Sequence, residues 1–268
     1  SAIRSIFQRL RLPDDPSVNR RVLAVRWCIE QAEDSPQAVS RSWSPLIGRV
    51  SELDQLAMLL DANQLVSIVG AGGMGKTRLA TEIATRRSSD QVIMIDLTGC
   101  DDSTARLRVF ERFGLRALNE PHALRIIRRM LDAKAYLVVL DNVEHVAMTV
   151  ASLIPVLTTS ETRLVVTSRR PLDISGEFVW RVPPLNEQDS IELFERRLVE
   201  NGCPAGTERP VMARWCTALG GMPLAIELAA SRLATRPLDD LEYEHDELPE
   251  LLRRAGGGQP SELGARRR

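Results

Sequence analysis

The segment Gly70–Thr77 has the glycine, lysine and hydroxyl spacing of a phosphate-binding loop, G-x-x-x-x-G-K-[ST]. Glycines let a backbone fold tightly around a polyphosphate, and a following helix adds free N–H groups at its N-terminus. Lys76 is predicted to neutralise the β and γ phosphates, and Thr77 to offer a hydroxyl to Mg²⁺. A plain glycine-rich turn is the alternative. The residues expected to bind the nucleotide here are Gly70, Gly72, Gly73, Met74, Gly75, Lys76, Thr77 and Arg78.

An acidic residue follows an apolar run further along the chain. Asp141 comes directly after Tyr136–Leu140. At the carboxyl end of a parallel strand, an aspartate lies on the sheet edge where the phosphate loop also emerges, and it can hold Mg²⁺ directly or through water. The alternative is a turn aspartate or a helix N-cap. Thr77 and Asp141 are therefore the predicted metal ligands.

Hydrolysis also needs a group that orients the attacking water. Glu144 is the nearest candidate, although a surface salt bridge explains it almost as well. Asn142 cannot act as a base and could position a water only weakly. Arg169, just beyond the apolar run Arg163–Thr167, is expected beside the γ phosphate, because a guanidinium recognises phosphate oxygens bidentately. The catalytic candidates are Lys76, Asp141, Glu144 and Arg169, and binding is better supported than catalysis.

Strands and helices alternate around these residues, which predicts an α/β fold. Nearly continuous apolar strands indicate a parallel sheet with helices on both faces. Ser51–Asp54 resembles a capping box at the start of the first helix. The predicted strands are Leu65–Val69, Val92–Ile95, Tyr136–Leu140 and Arg163–Thr167, and the predicted helices begin near Ser51, Thr77, Thr104 and His122.

Beyond Pro183-Pro184 the pattern changes to helices only, which places a domain boundary there. We expect four segments: an accessory helical segment and linker at 1–44, a nucleotide-binding domain at 45–183, a helical domain at 184–250 and a flexible tail at 251–268. The arginines of the first segment are better explained by a solvated helix face than by contact with a nucleic-acid backbone.

Composition excludes several other classes of protein. Apolar residues make up 44% and charged residues 26%, and the net charge is −1, so no global field attracts nucleic acid or membrane. Dispersed cysteines and few histidines form no zinc pattern, and isolated thiols are typical of a reducing cytosol. Neither a membrane span nor a signal peptide is visible, so a cytoplasmic protein without a membrane partner is expected. The serine at position 1 suggests a processed or excised piece.

Taken in order, these elements resemble the STAND class of P-loop ATPases, most closely the NB-ARC-like ATPase modules of bacterial transcriptional regulators. The likeness covers about residues 45 to 236. The I-G-R and G-x-P-L elements are more specific than a phosphate loop alone. The matching segments are Leu46–Leu53, Gly70–Thr77, Leu140–His145, Val166–Arg169, Pro184–Glu187 and Gly220–Ala225.

The resemblance implies further site residues and a fold. Ile47, Gly48 and Arg49 would line the adenine end of the site, and Pro223 would pack against the base. A five-stranded parallel core is implied, with the strand of Asp141 beside the phosphate-loop strand. The resemblance also implies that ADP holds such a module closed, and that ATP exchange opens it and permits self-association.

Two departures from the family pattern modify this expectation. Relatives usually continue into a winged-helix domain whose histidine contacts the β phosphate of ADP, and no histidine here lies in that setting, so the ADP lock is expected to be incomplete. Asn142 stands where many relatives outside the bacterial group carry a second acidic residue, which favours slow hydrolysis.

We therefore predict an adenine-nucleotide switch that binds ATP or ADP with Mg²⁺, with slow or no intrinsic ATPase activity. A turnover ATPase of the AAA+ type, with Glu144 activating the water, is the first alternative. The second is a DNA-binding transcriptional regulator in the full-length protein, although direct nucleic-acid binding by this chain is not expected. The sequence does not indicate the activating signal, the sensor or the effector.

Overall fold

Five parallel strands form one sheet in the computed structural model, which describes residues 46–86, 91–115, 119–202 and 209–233. The spatial order is β2-β3-β4-β1-β5, and each neighbouring pair is parallel. The predicted parallel α/β architecture is confirmed. The strands are β1 (Leu65–Val69), β2 (Val92–Asp96), β3 (Leu137–Asp141), β4 (Arg163–Ser168) and β5 (Glu177–Arg181).

The phosphate-loop strand and the Asp141 strand are not neighbours, so the adjacency implied by the resemblance is wrong. Strand β4 lies between them and pairs with β1 on one side and with β3 on the other. All three strands are largely apolar and buried, so their composition carries no information about which of them pair. At its carboxyl end β4 carries Thr167 and Ser168, and the hydroxyl of Thr167 contacts Asp141 in the site described below.

Helices cover both faces of the sheet in the first unit, Leu46–Pro184. Because side chains of a strand alternate between faces, each inner strand contributes to two apolar layers. One layer packs against α3, α4 and α5, and α5 touches both of the other helices. Its strand residues include Val138, Leu140, Leu164 and Val166, and the helices contribute Val109, Ile127, Leu131, Val150 and Leu153 to the same cluster. The helices of this unit are α1 (Val50–Ala62), α2 (Lys76–Thr85), α3 (Asp102–Arg112), α4 (Glu120–Ala133) and α5 (Ala147–Leu157).

Helix α1 begins differently from the sequence prediction. The capping box expected at Ser51–Asp54 is wrong, because the helix starts at Val50 and no side chain caps its N-terminus. The residue before it, Arg49, has a left-handed backbone with φ of 64°. Its side chain pairs with Glu52 at 2.8 Å, and the hydroxyl of Ser51 also donates to Glu52 at 2.8 Å. The first turn is therefore organised around an arginine.

The described residues from Leu185 onward belong to a second, helical unit. It contains α6 (Glu187–Glu200), α7 (Arg209–Ala218) and α8 (Pro223–Leu233), and α6 contacts both of the others. Asn186 caps α6 by accepting from the backbone N–H of Asp189 at 2.8 Å, which is the preferred role of asparagine at that position. The four-segment division of the chain stays a prediction, and its first and last segments lie outside the described residues.

Across the described ranges, no helix has both the length and the apolar character needed to cross a membrane.

Candidate functional site

The loop between β1 and α2 is held in a conformation that requires glycine. Gly73 and Gly75 have φ of 78° and 88°, a region that residues with a Cβ rarely adopt. The N–H of Gly70 donates to the carbonyl of Ser168 at 3.2 Å, which fastens the start of the loop to β4. Helix α2 begins directly after Gly75. Its N-terminus, with its free N–H groups and positive dipole end, therefore opens into the loop.

Lys76 lies inside this loop with its side chain buried. Its ammonium donates to the carbonyls of Gly70 at 2.9 Å and Ala71 at 3.0 Å. Burial lowers the pKa of Lys76, while Glu144 opposes that change and Arg169 adds to it. The ion pair of Glu144 and Arg169 therefore lies near the ammonium of Lys76, which places three candidate residues in one neighbourhood.

Asp141 ends β3 and lies 4% exposed against the start of α2. The hydroxyl of Thr77 donates to its Oδ1 at 2.9 Å, and the hydroxyl of Thr167 donates to the same oxygen. Burial raises the pKa of Asp141 and the two hydroxyls oppose that shift, while nearby Asp96 adds to it. The next helix, α5, is preceded by Val146 as its N-cap, so Asp141 is not a helix cap.

Glu144 and Arg169 form an ion pair at 2.8 Å, with side chains 11% and 56% exposed. The amide of Asn142 is oriented by its neighbours: with its nitrogen toward Glu144 it donates to both carboxylate oxygens at 3.2 Å, and its oxygen then accepts from Thr98 at 3.2 Å. Glu144 therefore forms a salt bridge, as the alternative interpretation expected. The carboxylate is mostly buried, however, and its partner Arg169 is itself a candidate site residue.

A cleft of about 360 Å³ opens beside this pair. It lies past the carboxyl ends of β3 and β4, where ligands bind in open α/β sheets. Its lining residues are Glu144, His145, Ala147, Ser168, Arg169, Arg170 and Pro171.

Two residues that contribute to the site were not predicted from the sequence. Asp96 ends β2 in register with Asp141 and accepts from the backbone N–H of Thr98 at 2.9 Å. Its signal was available, since Asp96 follows an apolar run just as Asp141 does. Thr167 ends the predicted strand Arg163–Thr167 and was not among the candidate site residues. Its bond to Asp141 depends on the pairing of β4 with β3, which the sequence does not reveal.

The residues expected at the adenine end surround a buried arginine. Ile47 is buried and Gly48 has a left-handed backbone. The Nη1 of Arg49 donates to Glu52 at 2.8 Å and to the carbonyl of Pro183 at 2.7 Å. Although burial alone would raise the pKa of Glu52, hydrogen bonds from Arg49 and Ser51 hold it below its usual value. The Nη2 of Arg49 is buried with no hydrogen-bond partner in the described part of the chain.

The remaining candidates are less tightly linked to this site. Met74 is buried within the loop, and Arg78 lies half-buried on α2. Gly72 occupies the middle of the loop. Pro223 is the first residue of α8 in the second unit, and its packing against a base stays a prediction.

The predicted metal ligands Thr77 and Asp141 suit magnesium only together with further oxygen ligands from phosphate and water. Within the described ranges, no group of three or more histidine, cysteine, aspartate or glutamate side chains could hold a metal ion. A hydroxyl from Thr77 and a carboxylate from Asp141 lie 2.9 Å apart. Magnesium in phosphate sites takes one or two protein oxygens and completes its shell with phosphate oxygens and water. The pair therefore fits a magnesium ion bound together with a polyphosphate.

Residues 49–202, more than half of the chain, match the model of the NB-ARC domain family. A Mycobacterium tuberculosis protein with the provisional name HTH-type transcriptional regulator is 35% identical over 208 residues, which are 75% of this chain and 23% of that protein. Regulatory protein AfsR of Streptomyces coelicolor is 29% identical over 224 residues, covering 75% of this chain and 22% of AfsR. The chain thus spans about a quarter of the length of these relatives.

Solved structures show the same fold at low sequence identity. A signal transduction ATPase with numerous domains (STAND) with a tetratricopeptide repeat sensor, from Pyrococcus horikoshii, superposes with a TM-score of 0.56 and 16% identity, over 80% of this chain and 34% of that one. The Walker-type ATPase of Pyrococcus abyssi gives 0.54 and 15%, over 79% and 77%. These likenesses establish the P-loop NTPase architecture.

Proposed function

Since the chain belongs to the NB-ARC domain family, as a STAND-class module of the kind found in bacterial regulators, we propose that it is an ATP- and ADP-binding signalling switch. The observation that carries the proposal is the hydrogen bond from Thr77 to Asp141 beside the buried ammonium of Lys76. A hydroxyl, a carboxylate and a lysine gathered at a glycine-rich loop suit a polyphosphate with its Mg²⁺. The module would be cytoplasmic and would self-associate in the ATP state.

Each part of the site would hold one part of the nucleotide. The loop N–H groups and Lys76 would hold the β and γ phosphates, and Arg169 would contact the third phosphate. Thr77 and Asp141 would hold Mg²⁺, which when bound neutralises charge on the phosphate oxygens. At the other end, the unpaired Nη2 of Arg49 would donate to the adenine base, and Ile47 and Gly48 would line its pocket.

Slow or absent hydrolysis is part of this proposal. A general base must be free to contact the water it activates. The carboxylate of Glu144 instead pairs with Arg169 and accepts from the amide of Asn142. Asn142 itself cannot accept a proton from water. These contacts favour a switch over a turnover ATPase of the AAA+ type. Steady turnover near ~1 per second that Glu144→Gln abolishes would establish that alternative instead.

The biological setting of the switch follows from the relatives. Two of them are named as regulators, and the chain spans about a quarter of their length. We infer that this module controls a transcriptional regulator whose sensing and DNA-binding parts lie elsewhere. A gel-shift assay of this chain at low salt is expected to show no DNA binding.

The first test identifies the nucleotide. Denaturing the purified protein and chromatographing the supernatant should release adenine nucleotide, and titration of the stripped protein should show binding of both ADP and ATP with Mg²⁺. Lys76→Ala should weaken binding by about ten- to one-hundred-fold, the worth of a charge-assisted contact. Lys134→Ala, a lysine before the amino end of β3, is the matched control. Binding of neither nucleotide at millimolar concentration would end the proposal.

The second test uses the rarity of lysine in this chain. Lys76 and Lys134 are its two lysines. Amine acylation followed by peptide mass spectrometry therefore measures the reactivity of Lys76 in the loop, with Lys134 as the internal standard. Nucleotide with Mg²⁺ should protect Lys76 from acylation and leave Lys134 unchanged. Equal changes at both lysines would indicate a global effect and contradict binding at the loop.

A further inference from the structure

The Glu144 carboxylate is held in place from two sides at the carboxyl ends of β3 and β4. Arg169 pairs with it at 2.8 Å, and the amide of Asn142, in the orientation that its neighbours favour, donates to both of its oxygens at 3.2 Å. Asn142 is itself anchored, because its backbone N–H donates to the hydroxyl of Thr167 at 2.8 Å. Glu144 is therefore a fixed partner for an arginine whose own side chain remains 56% exposed.

The pair lies within electrostatic reach of the phosphate loop. The charges of Glu144 and Arg169 act in opposite directions on the pKa of Lys76. The cleft of about 360 Å³ adjoins the pair on the side lined by His145 and Arg170. A nucleoside triphosphate would place its last phosphate closer to this pair than a diphosphate does, because only the triphosphate extends one group beyond the β position.

We propose that Glu144 is a positioning residue that competes with the third phosphate for Arg169, and that it thereby sets the preference of the site between nucleoside diphosphate and triphosphate. This inference rests on the proposed function. A third phosphate must draw the guanidinium from Glu144 or share it. Sharing places two negative groups side by side, and like charges at such distance repel. A diphosphate meets neither cost.

Neutralising Glu144 isosterically should therefore favour the triphosphate. Glu144→Gln is expected to raise the ratio of ATP to ADP affinity by about two- to five-fold, the range that partly exposed ion pairs contribute. The ADP affinity should stay close to that of the wild type. The change in ratio should shrink at high ionic strength, since salt screens partly exposed charges.

The experiment is calorimetric titration of the whole chain, freed of nucleotide, with Mg²⁺ and either ADP or a non-hydrolysable ATP analogue. Glu144→Gln, Arg169→Gln and the double variant form a cycle. Glu161→Gln is the matched control, because this exposed glutamate lies before the amino end of β4, away from the site. Arg169→Gln should lower the ATP-to-ADP ratio, and in that background Glu144→Gln should have no further effect. Asn142→Gly, which tolerates the left-handed backbone at φ of 62°, should give a smaller rise than Glu144→Gln.

The possible results separate this inference from the proposed function. If the wild type binds neither nucleotide, the proposed function itself fails. If it binds both but Glu144→Gln leaves the ratio equal to that of Glu161→Gln, the competition for Arg169 does not exist. An equal increase of the ratio with and without Arg169 would also overturn the inference, because Glu144 would then act on the phosphate directly.

Discussion

Replacing Asp141 by asparagine is expected to stabilise the nucleotide-free protein and to weaken the proposed Mg²⁺-dependent binding of nucleotide. Asp141 is 4% exposed, and its hydrogen-bond donors are the neutral hydroxyls of Thr77 and Thr167. Asparagine has nearly the same shape and keeps an acceptor oxygen for those hydroxyls. The substitution therefore removes a buried charge with little change in packing.

The sign of the effect follows from the pKa of Asp141. Burial raises that pKa above the ordinary 3.8, so the folded state holds the proton more tightly than the unfolded chain does. The free energy of unfolding then falls as the pH rises from the ordinary value through the raised one, and the full cost is present at neutral pH. Removing the charge should raise the free energy of unfolding by about 1 kcal/mol, the low end of the gains found when buried ionised groups are replaced. That gain corresponds to an increase in Tm of about 2–4 °C.

Thermal unfolding followed by circular dichroism measures this difference at neutral pH and at successively lower pH. The advantage of Asp141→Asn should diminish as the solution is acidified and the wild-type carboxylate gains its proton. Asp132→Asn is the matched control: this exposed residue pairs with Arg128 on α4, and losing such a pair costs about 0.5 kcal/mol or less. A lower Tm for Asp141→Asn than for the control at neutral pH would refute the reasoning, because the hydroxyl bonds would then outweigh burial.

Three further experiments test the loop, the arginine and a thiol. Gly75→Ala should cost about 1–2 kcal/mol in urea unfolding because its φ is 88°, whereas Gly70→Ala, whose Cβ would meet its nearest neighbour at 3.5 Å, should change stability little. Arg49→Ala should lower the free energy of unfolding by about 2 kcal/mol, since the carbonyl of Pro183 loses a charged donor; an unchanged value would show that water replaces the donor. Burial raises the pKa of Cys216 to about 12, so alkylation near pH 8.5, about the pKa of a free thiol, should require urea.

The parallel strands and the phosphate loop could be predicted because their signals are local. An apolar run such as Leu65–Val69 needs no partner to be recognised, and a glycine-lysine-hydroxyl spacing is defined within one loop. The order of the strands was predicted wrongly because it is not local. β1, β3 and β4 are similarly apolar, and any of them could occupy the centre of the sheet. The prediction of a capping box at Ser51 was wrong for a related reason. The residue before the helix is Arg49, and its side chain is held by the carbonyl of Pro183, which is distant in sequence.

The site was predictable in its residue types but not in its contacts. Lys76, Thr77 and Asp141 were each identified from the residues that precede them. Their neighbour Thr167 was not, because its bond to Asp141 depends on the pairing of β4 with β3. For Glu144 the sequence left two interpretations open, a residue that orients the attacking water and a residue of a surface salt bridge. The structure shows its partner, Arg169, which only the proximity of the ends of β3 and β4 could supply.

Strand β4 connects the parts of the site because it lies between the other two functional strands. Its last residues and the arginine that follows reach three different partners: Ser168 accepts from the loop at Gly70, Thr167 donates to Asp141, and Arg169 pairs with Glu144. A strand adjacent to only one of those elements could not make all three contacts. Because β4 lies between β1 and β3, its carboxyl end contacts both the phosphate loop and the predicted metal ligand Asp141. The same segment carries Arg169, which would meet the third phosphate. Under the proposed function, this contact would let the phosphate loop and the metal ligand respond to the presence of a third phosphate.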